Sequence, residues 1–149
     1  MLLFASSACD HGLAPPEEPS TGVLVAGVTY SGHPGSWPPD RQLEQLLFVA
    51  MRFVPRDTSD FLRLNLIEWS DPLQVRVPGD RVVLDDVPVG PYLYAGVAQK
   101  YGPDAFDWRP VGLVEENGGV FVIAAGETSF VSVLVDFVNP PVFPPPSAD

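Results

Sequence analysis

Apolar and polar residues alternate in short stretches along this chain, separated by clusters of proline, glycine and aspartate, and a two-residue period of that kind marks β-strands. Residues 22–30, GVLVAGVTY, are rich in β-branched side chains and lie between Ser20-Thr21 and Ser31-Gly32, which predicts a first strand. Residues 31–40 hold three prolines and two glycines and therefore form a loop, which carries Trp37. Over residues 43–54 the pattern fits two elements. Leu43, Leu46, Leu47 and Ala50 suit a helical face, while residues 48–54 suit a strand, and Pro55 ends either one. Residues 56–60 predict a polar turn. Residues 61–69, FLRLNLIEW, alternate as a strand with Leu62, Leu64 and Leu66 on one side. A short edge strand is predicted over residues 73–77, between Pro72 and Pro78-Gly79.

The second half centres on residues 81–102. Val82 to Leu84 lead into Val87-Pro88-Val89-Gly90, where Pro88 presets φ and Gly90 can take a positive φ, so the pair predicts a hairpin turn. After it, Tyr92, Tyr94, Gly96 and Ala98 share one face and Leu93, Ala95, Val97 and Gln99 the other. Neither face is clearly polar, which places the strand mid-sheet, and Gly96 inside it implies a close approach to the backbone there. A loop over 101–107 leads to a strand from Trp108, Glu116-Asn117-Gly118-Gly119 is a turn, and residues 120–124 form another short strand. In the last strand, residues 129–138, Val131, Val133, Val135 and Phe137 point inward. The expected fold is all-β, a single antiparallel sandwich of about seven or eight strands.

The run Pro88-x-Gly90-x-Tyr92-x-Tyr94-x-x-Val97 resembles the P-x-G-x-Y-x-Y/L-x-x-V pattern of transthyretin-like, carboxypeptidase-regulatory-like domains, and the resemblance covers residues 22–139. It implies an Ig-like β-sandwich of the sort found in bacterial surface and periplasmic proteins, and it implies a strand from about Gln45. Pro91 departs from the family, which carries Thr or a similar residue there.

The chain has 149 residues, enough for one domain with a core of its own. Nineteen acidic against eight basic residues give a net charge of −11, which repels phosphate backbones and argues against nucleic acid as a partner. The one cysteine, Cys9, follows Leu2-Leu3-Phe4-Ala5-Ser6-Ser7-Ala8, and this resembles the end of a bacterial lipoprotein signal. The resemblance implies lipid on Cys9 and a membrane as partner. Residues 10–21, polar and proline-rich, read as a flexible tether spanning on the order of 35 Å, and residues 140–149 as an extended or disordered proline-rich tail. The expected address is extracytoplasmic, lipid-anchored to a bacterial membrane.

Candidate chemistry is sparse. The two histidines, His11 and His33, fall in tether and loop, with no G-x-S-x-G elbow, and with one cysteine they cannot complete a zinc site. Carboxylates pair at Asp57/Asp60, Asp85/Asp86, Asp104/Asp107 and Glu115/Glu116, but in turns, where Asp bonds its own backbone. Aromatic rings remain: Trp37, Tyr101, Phe106 and Trp108 are the candidate ligand-binding residues, with Trp69 also at a strand end. The sequence therefore reads as a non-catalytic structural or binding module of the cell envelope, without cofactor or metal, its partner a glycan or an envelope protein. A carbohydrate-binding module built on the loop aromatics is the second reading, and a hydrolase using loop carboxylates the third.

Overall fold

The computed structural model describes Gly12 and residues 20–147; Cys9 and residues 13–19 of the expected tether lie outside them. Nine strands follow one another: β1 (Thr21–Tyr30), β2 (Gln45–Met51), β3 (Ile67–Trp69), β4 (Gly79–Pro88), β5 (Gly90–Tyr92), β6 (Tyr94–Lys100), β7 (Trp108–Leu113), β8 (Phe121–Ile123) and β9 (Thr128–Val135). They make a three-stranded sheet in the order β4-β1-β9, a four-stranded sheet in the order β3-β2-β6-β7, and a β5-β8 ribbon. The all-β expectation holds. Pairing is antiparallel except between β1 and β9, the one parallel pair among the described residues.

The period-two pattern explains how the larger sheets meet. Leu24, Ala26 and Val28 of β1 and Val131, Val133 and Val135 of β9 face Leu46, Phe48 and Ala50 of β2 and Ala95 and Val97 of β6 in one core. Burying each of the larger of these side chains stabilises by roughly 1.5–3 kcal/mol. The odd-numbered face of β9 is inside as expected, with Phe137 at its end, while Phe130 and Leu134 are exposed. Over residues 43–54 the strand prevails, because Leu46, Phe48 and Ala50 meet the inter-sheet core and Leu47, Val49 and Met51 find apolar partners on the opposite face. β4, at a sheet edge, carries Asp80, Arg81, Asp85 and Asp86, and charge of this kind discourages edge-to-edge pairing.

Three local expectations are corrected. Residues 61–69 are a strand only at Ile67–Trp69; before it run 3₁₀ turns at Thr58–Leu62 and Leu64–Leu66. Asp57 accepts from the Ser59 N–H and Asp60 from the Arg56 N–H, so side chains bond the backbone that would otherwise pair in a ladder. Residues 73–77 form no strand. Leu73 N–H still reaches the Leu46 carbonyl, but Arg76 takes a positive φ of 59° and its guanidinium turns to Asp40.

The stretch around Gly90 is a crossing between sheets and not a hairpin. β4 pairs with β1, β5 with β8, and β6 with β2 and β7. Gly90 has the expected positive φ, +129°, and the bend is held by Arg52 Nη2 donating to the Val89 carbonyl at 2.6 Å and Tyr92 Oη donating to the Pro88 carbonyl at 3.0 Å. The strand breaks at Leu93, so Tyr92 and Tyr94 do not share a face. Tyr92 stacks on Phe121 at 5.5 Å in the inter-sheet core, and Tyr94 joins a second cluster outside the four-stranded sheet. Residues 140–147, expected to belong to a free tail, return to that second cluster, where Phe143 lies 5.3 Å from Phe61.

Gly96 shows why the strand needs a glycine. A Cβ there would lie 2.1 Å from the Gly112 carbonyl oxygen, on backbone that cannot swing away, whereas a Cβ on Gly27 would meet nothing within 4 Å. Gly96→Ala should therefore cost about 2–3 kcal/mol by overpacking, and Gly27→Ala should be neutral or stabilise by about 0.5–1 kcal/mol. Gly90→Val forces a β-branched residue into a strained φ and should cost about 1–3 kcal/mol. Urea unfolding of the three variants checks the order; equal midpoints for Gly96→Ala and Gly27→Ala would remove the close-approach explanation.

Candidate functional site

The four-stranded sheet is apolar on both faces. On the side away from the inter-sheet core, β2 presents Leu47, Val49 and Met51, β6 presents Tyr94 and Ala98, and Ile67 and Leu113 join from the flanking strands. Such a face has to be covered. The cover is the segment with the two 3₁₀ turns, which buries Phe61, together with Phe143 from the proline-rich end. Two backbone N–H groups, of Arg56 and Asp57, point at the Asp60 carboxylate and hold its pKa below the usual range, which pins the start of this cover.

The cover stops short of one corner. There a groove of about 400 Å³ crosses the sheet, with Leu47, Val49 and Ala98 as floor, Phe61, Leu62 and Leu64 from the cover, Trp69 at one edge of the sheet and Trp108 at the other. Trp69 sits opposite Val49, and Trp108 sits opposite Lys100, which faces Gln45. The two tryptophans thus lie diagonally across the groove, three strand spacings apart across the sheet and four residues apart along it, about 19 Å in all. Leu64 is 57% exposed and Trp69 47%, a large apolar surface for a chain with this charge.

Polar groups in the groove are few: Gln45, Ser70 and Asp71. Ser70 is already engaged, its hydroxyl accepting from the Phe48 N–H at 3.0 Å and donating to the Asp71 carbonyl at 2.7 Å. No Lys or Arg lines the groove, and of the cations nearby in sequence Arg63 pairs with Asp60 at 3.5 Å, Lys100 with Glu44 at 3.3 Å, and Arg109 donates to Gln99 Oε1 at 2.8 Å. One row farther along the sheet, Ile67, Met51 and Tyr94 lie opposite one another. Ile67 lines the groove, and Tyr94 is buried with a hydroxyl that has no hydrogen-bond partner among the described residues. Burial pushes the Tyr94 pKa well above the usual phenol value.

The expected site residues divide. Trp37 turns inward, 4.5 Å from Tyr30 and 5.0 Å from Phe137, with its indole N–H donating to His33 Nδ1 at 3.1 Å, and so closes one part of the core. Tyr101 and Phe106 are exposed, the Arg109 guanidinium lying 5.7 Å from the centre of the Tyr101 ring. Of the four candidates only Trp108 enters the groove, so they form no single aromatic platform. Pro88 and Gly90 shape the crossing between sheets, and Cys9 lies outside the described residues. Trp69, noted from the sequence as a ring at a strand end, does line the groove, whereas Leu62 and Leu64 were hidden by the expectation of a strand through 61–69, although three leucines in phase on one side were already visible.

Two of the four carboxylate pairs serve the backbone. Asp57 and Asp60 cap a 3₁₀ turn, Asp107 accepts from the Asp104 N–H at 3.0 Å, and Asp136 accepts from the N–H groups of Val138 and Asn139. Glu115, Glu116 and Asp136 also line a wider groove, about 720 Å³, where β7 and β9 meet. Among the described residues no three His, Cys, Asp or Glu side chains are placed to hold a metal ion. Comparison of the chain with protein-family models, with curated proteins and with solved structures finds no match, so the geometry of the groove carries the functional reading.

Proposed function

We propose that this chain is a non-catalytic binding module of the cell envelope, held to a membrane by lipid on Cys9, and that its ligand site is the groove between Trp69 and Trp108. The observation that carries the reading is the groove itself: an apolar hollow of about 400 Å³ beside exposed Leu64 and Trp69 has the size and lining of a small-ligand site. Binding without chemistry is favoured because Asp57, Asp60 and Asp107 are engaged by backbone N–H groups and His33 Nδ1 is engaged by Trp37. The floor strands are already paired, so the groove has no free ladder to offer a peptide backbone. That leaves shape and apolar contact as the sources of affinity.

The tether and address rest on the run of residues before Cys9 and the polar segment after it. No helix among the described residues is long and apolar enough to cross a membrane. The transthyretin-like reading rests on the run from Pro88 to Val97, and the acidic balance supports a ligand or partner other than nucleic acid.

Two outcomes test the reading. Titrated with the neutral dye Nile red, the full chain should bind with a rise in dye emission, and Trp69→Ala or Leu64→Asp should weaken binding about tenfold while leaving the circular dichroism unchanged. Binding to glycans on an array, lost on Tyr101→Ala or Phe106→Ala but indifferent to Trp69→Ala, would replace this reading with the carbohydrate one. Expressed in a bacterium that processes lipoproteins, the wild type should fractionate with membranes and Cys9→Ser should be released; if both are soluble, the anchor is wrong.

A further inference from the structure

We infer that the groove selects an uncharged, mainly apolar small molecule bearing one hydrogen-bond acceptor at its inner end, and that the Tyr94 hydroxyl recognises that acceptor. The inference rests on the groove being the ligand site. Two independent features of the molecule lead to it.

The first is electrostatic. The lining contains one carboxylate, Asp71, and no cation, within a chain of net charge −11. An anionic ligand would gain no partner and would be repelled, which excludes fatty-acid carboxylates and phosphate esters. The apolar floor likewise gives the many hydroxyls of a sugar few partners, since besides the indole N–H groups of Trp69 and Trp108 only Gln45 and Asp71 have polar side-chain atoms not already engaged.

The second is Tyr94. A phenol that is 93% buried normally finds a partner, and one left without it is costly to keep. Phenylalanine would fill the same place among Met51, Phe61 and Ile67 without that cost. Tyr94 shares a cross-strand row with Ile67 of the groove lining, and what lies between them in that row is Met51, an unbranched side chain that repacks readily. Above the row are Phe61 and Phe143, the latter on the proline-rich segment after β9. Tyr94 and Met51 lie outside the groove lining, so a ligand that displaces Met51 beneath Phe61 would bring a carbonyl, ether or hydroxyl oxygen to accept from the Tyr94 O–H.

The test compares two probes of nearly equal shape, naphthalene and 2-naphthol, with 2-naphthoate as the anionic control, by calorimetry or tryptophan emission on the full chain. The wild type should bind 2-naphthol about fivefold or more tighter than naphthalene, the worth of one buried hydrogen bond, and 2-naphthoate more weakly than either. Tyr94→Phe should bring 2-naphthol and naphthalene to within about twofold of each other, with naphthalene affinity unchanged and a melting temperature no lower than wild type. Trp69→Ala should weaken both neutral probes in equal proportion. Equal wild-type affinity for naphthalene and 2-naphthol, or a naphthol preference that survives Tyr94→Phe, overturns the role of Tyr94 and leaves the groove standing. If neither neutral probe binds, both the groove and this inference fall, and tight binding of 2-naphthoate overturns the charge argument.

Discussion

Three strands of this protein touch backbone to backbone, and the rest of the architecture is arranged around that contact. A Cβ on Gly96 of β6 would lie 2.1 Å from the Gly112 carbonyl oxygen of β7, and a Cβ on Gly112 would lie 2.5 Å from the Leu134 carbonyl oxygen of β9. Two glycines thus let the edge of one sheet close on the edge of the other, and the Asp136 N–H completes the join by donating to the Val111 carbonyl at 2.8 Å. Because the sandwich is sealed at this side, the four-stranded sheet can devote its inner face to the common core and still present a second apolar face outward. That outer face is the source of both the cover and the groove.

Much of this was legible in the sequence, and the reasons are local. The alternation of Val131, Val133 and Val135 with Phe130 and Leu134 sets the inward face of β9 without reference to any partner, and Gly96 announced a close approach before the approaching strand could be named. What alternation does not encode is which strand a strand pairs with. Val87-Pro88-Val89-Gly90 has the residues of a hairpin, and Gly90 does take a positive φ, yet the chain uses the bend to leave one sheet for the other. The parallel neighbour of β1 lies about a hundred residues away at β9, a pairing that no local pattern reveals.

The site was less legible than the fold, for a related reason. Burial of a ring depends on tertiary neighbours: Trp37 sits in a loop of prolines and glycines that would suit an exposed ring, but Tyr30 and Phe137 enclose it. Trp69 and Leu64 looked like alternating strand positions, and the capping side chains of Asp57 and Asp60 turned the segment before Ile67 into a partial cover instead. Of the aromatic rings singled out in the sequence, Trp69 and Trp108 belong to the groove and Trp37, Tyr101 and Phe106 do not. The acidic composition remains informative, since it limits what the groove can attract even where it does not say what fills it.

The central claim is that ligand binding occurs on the outer face of the four-stranded sheet. The most direct measurement is a two-dimensional amide and indole NMR titration of the full chain with a neutral aromatic such as 2-naphthol. The account expects shifts confined to Leu47, Val49, Leu64, Ala98, the indole N–H signals of Trp69 and Trp108 and the adjoining row of Met51 and Tyr94, with the Trp37 indole unmoved in its hydrogen bond to His33. Shifts concentrated instead at Tyr101 and Phe106, or along Glu115, Glu116 and Asp136, would contradict it.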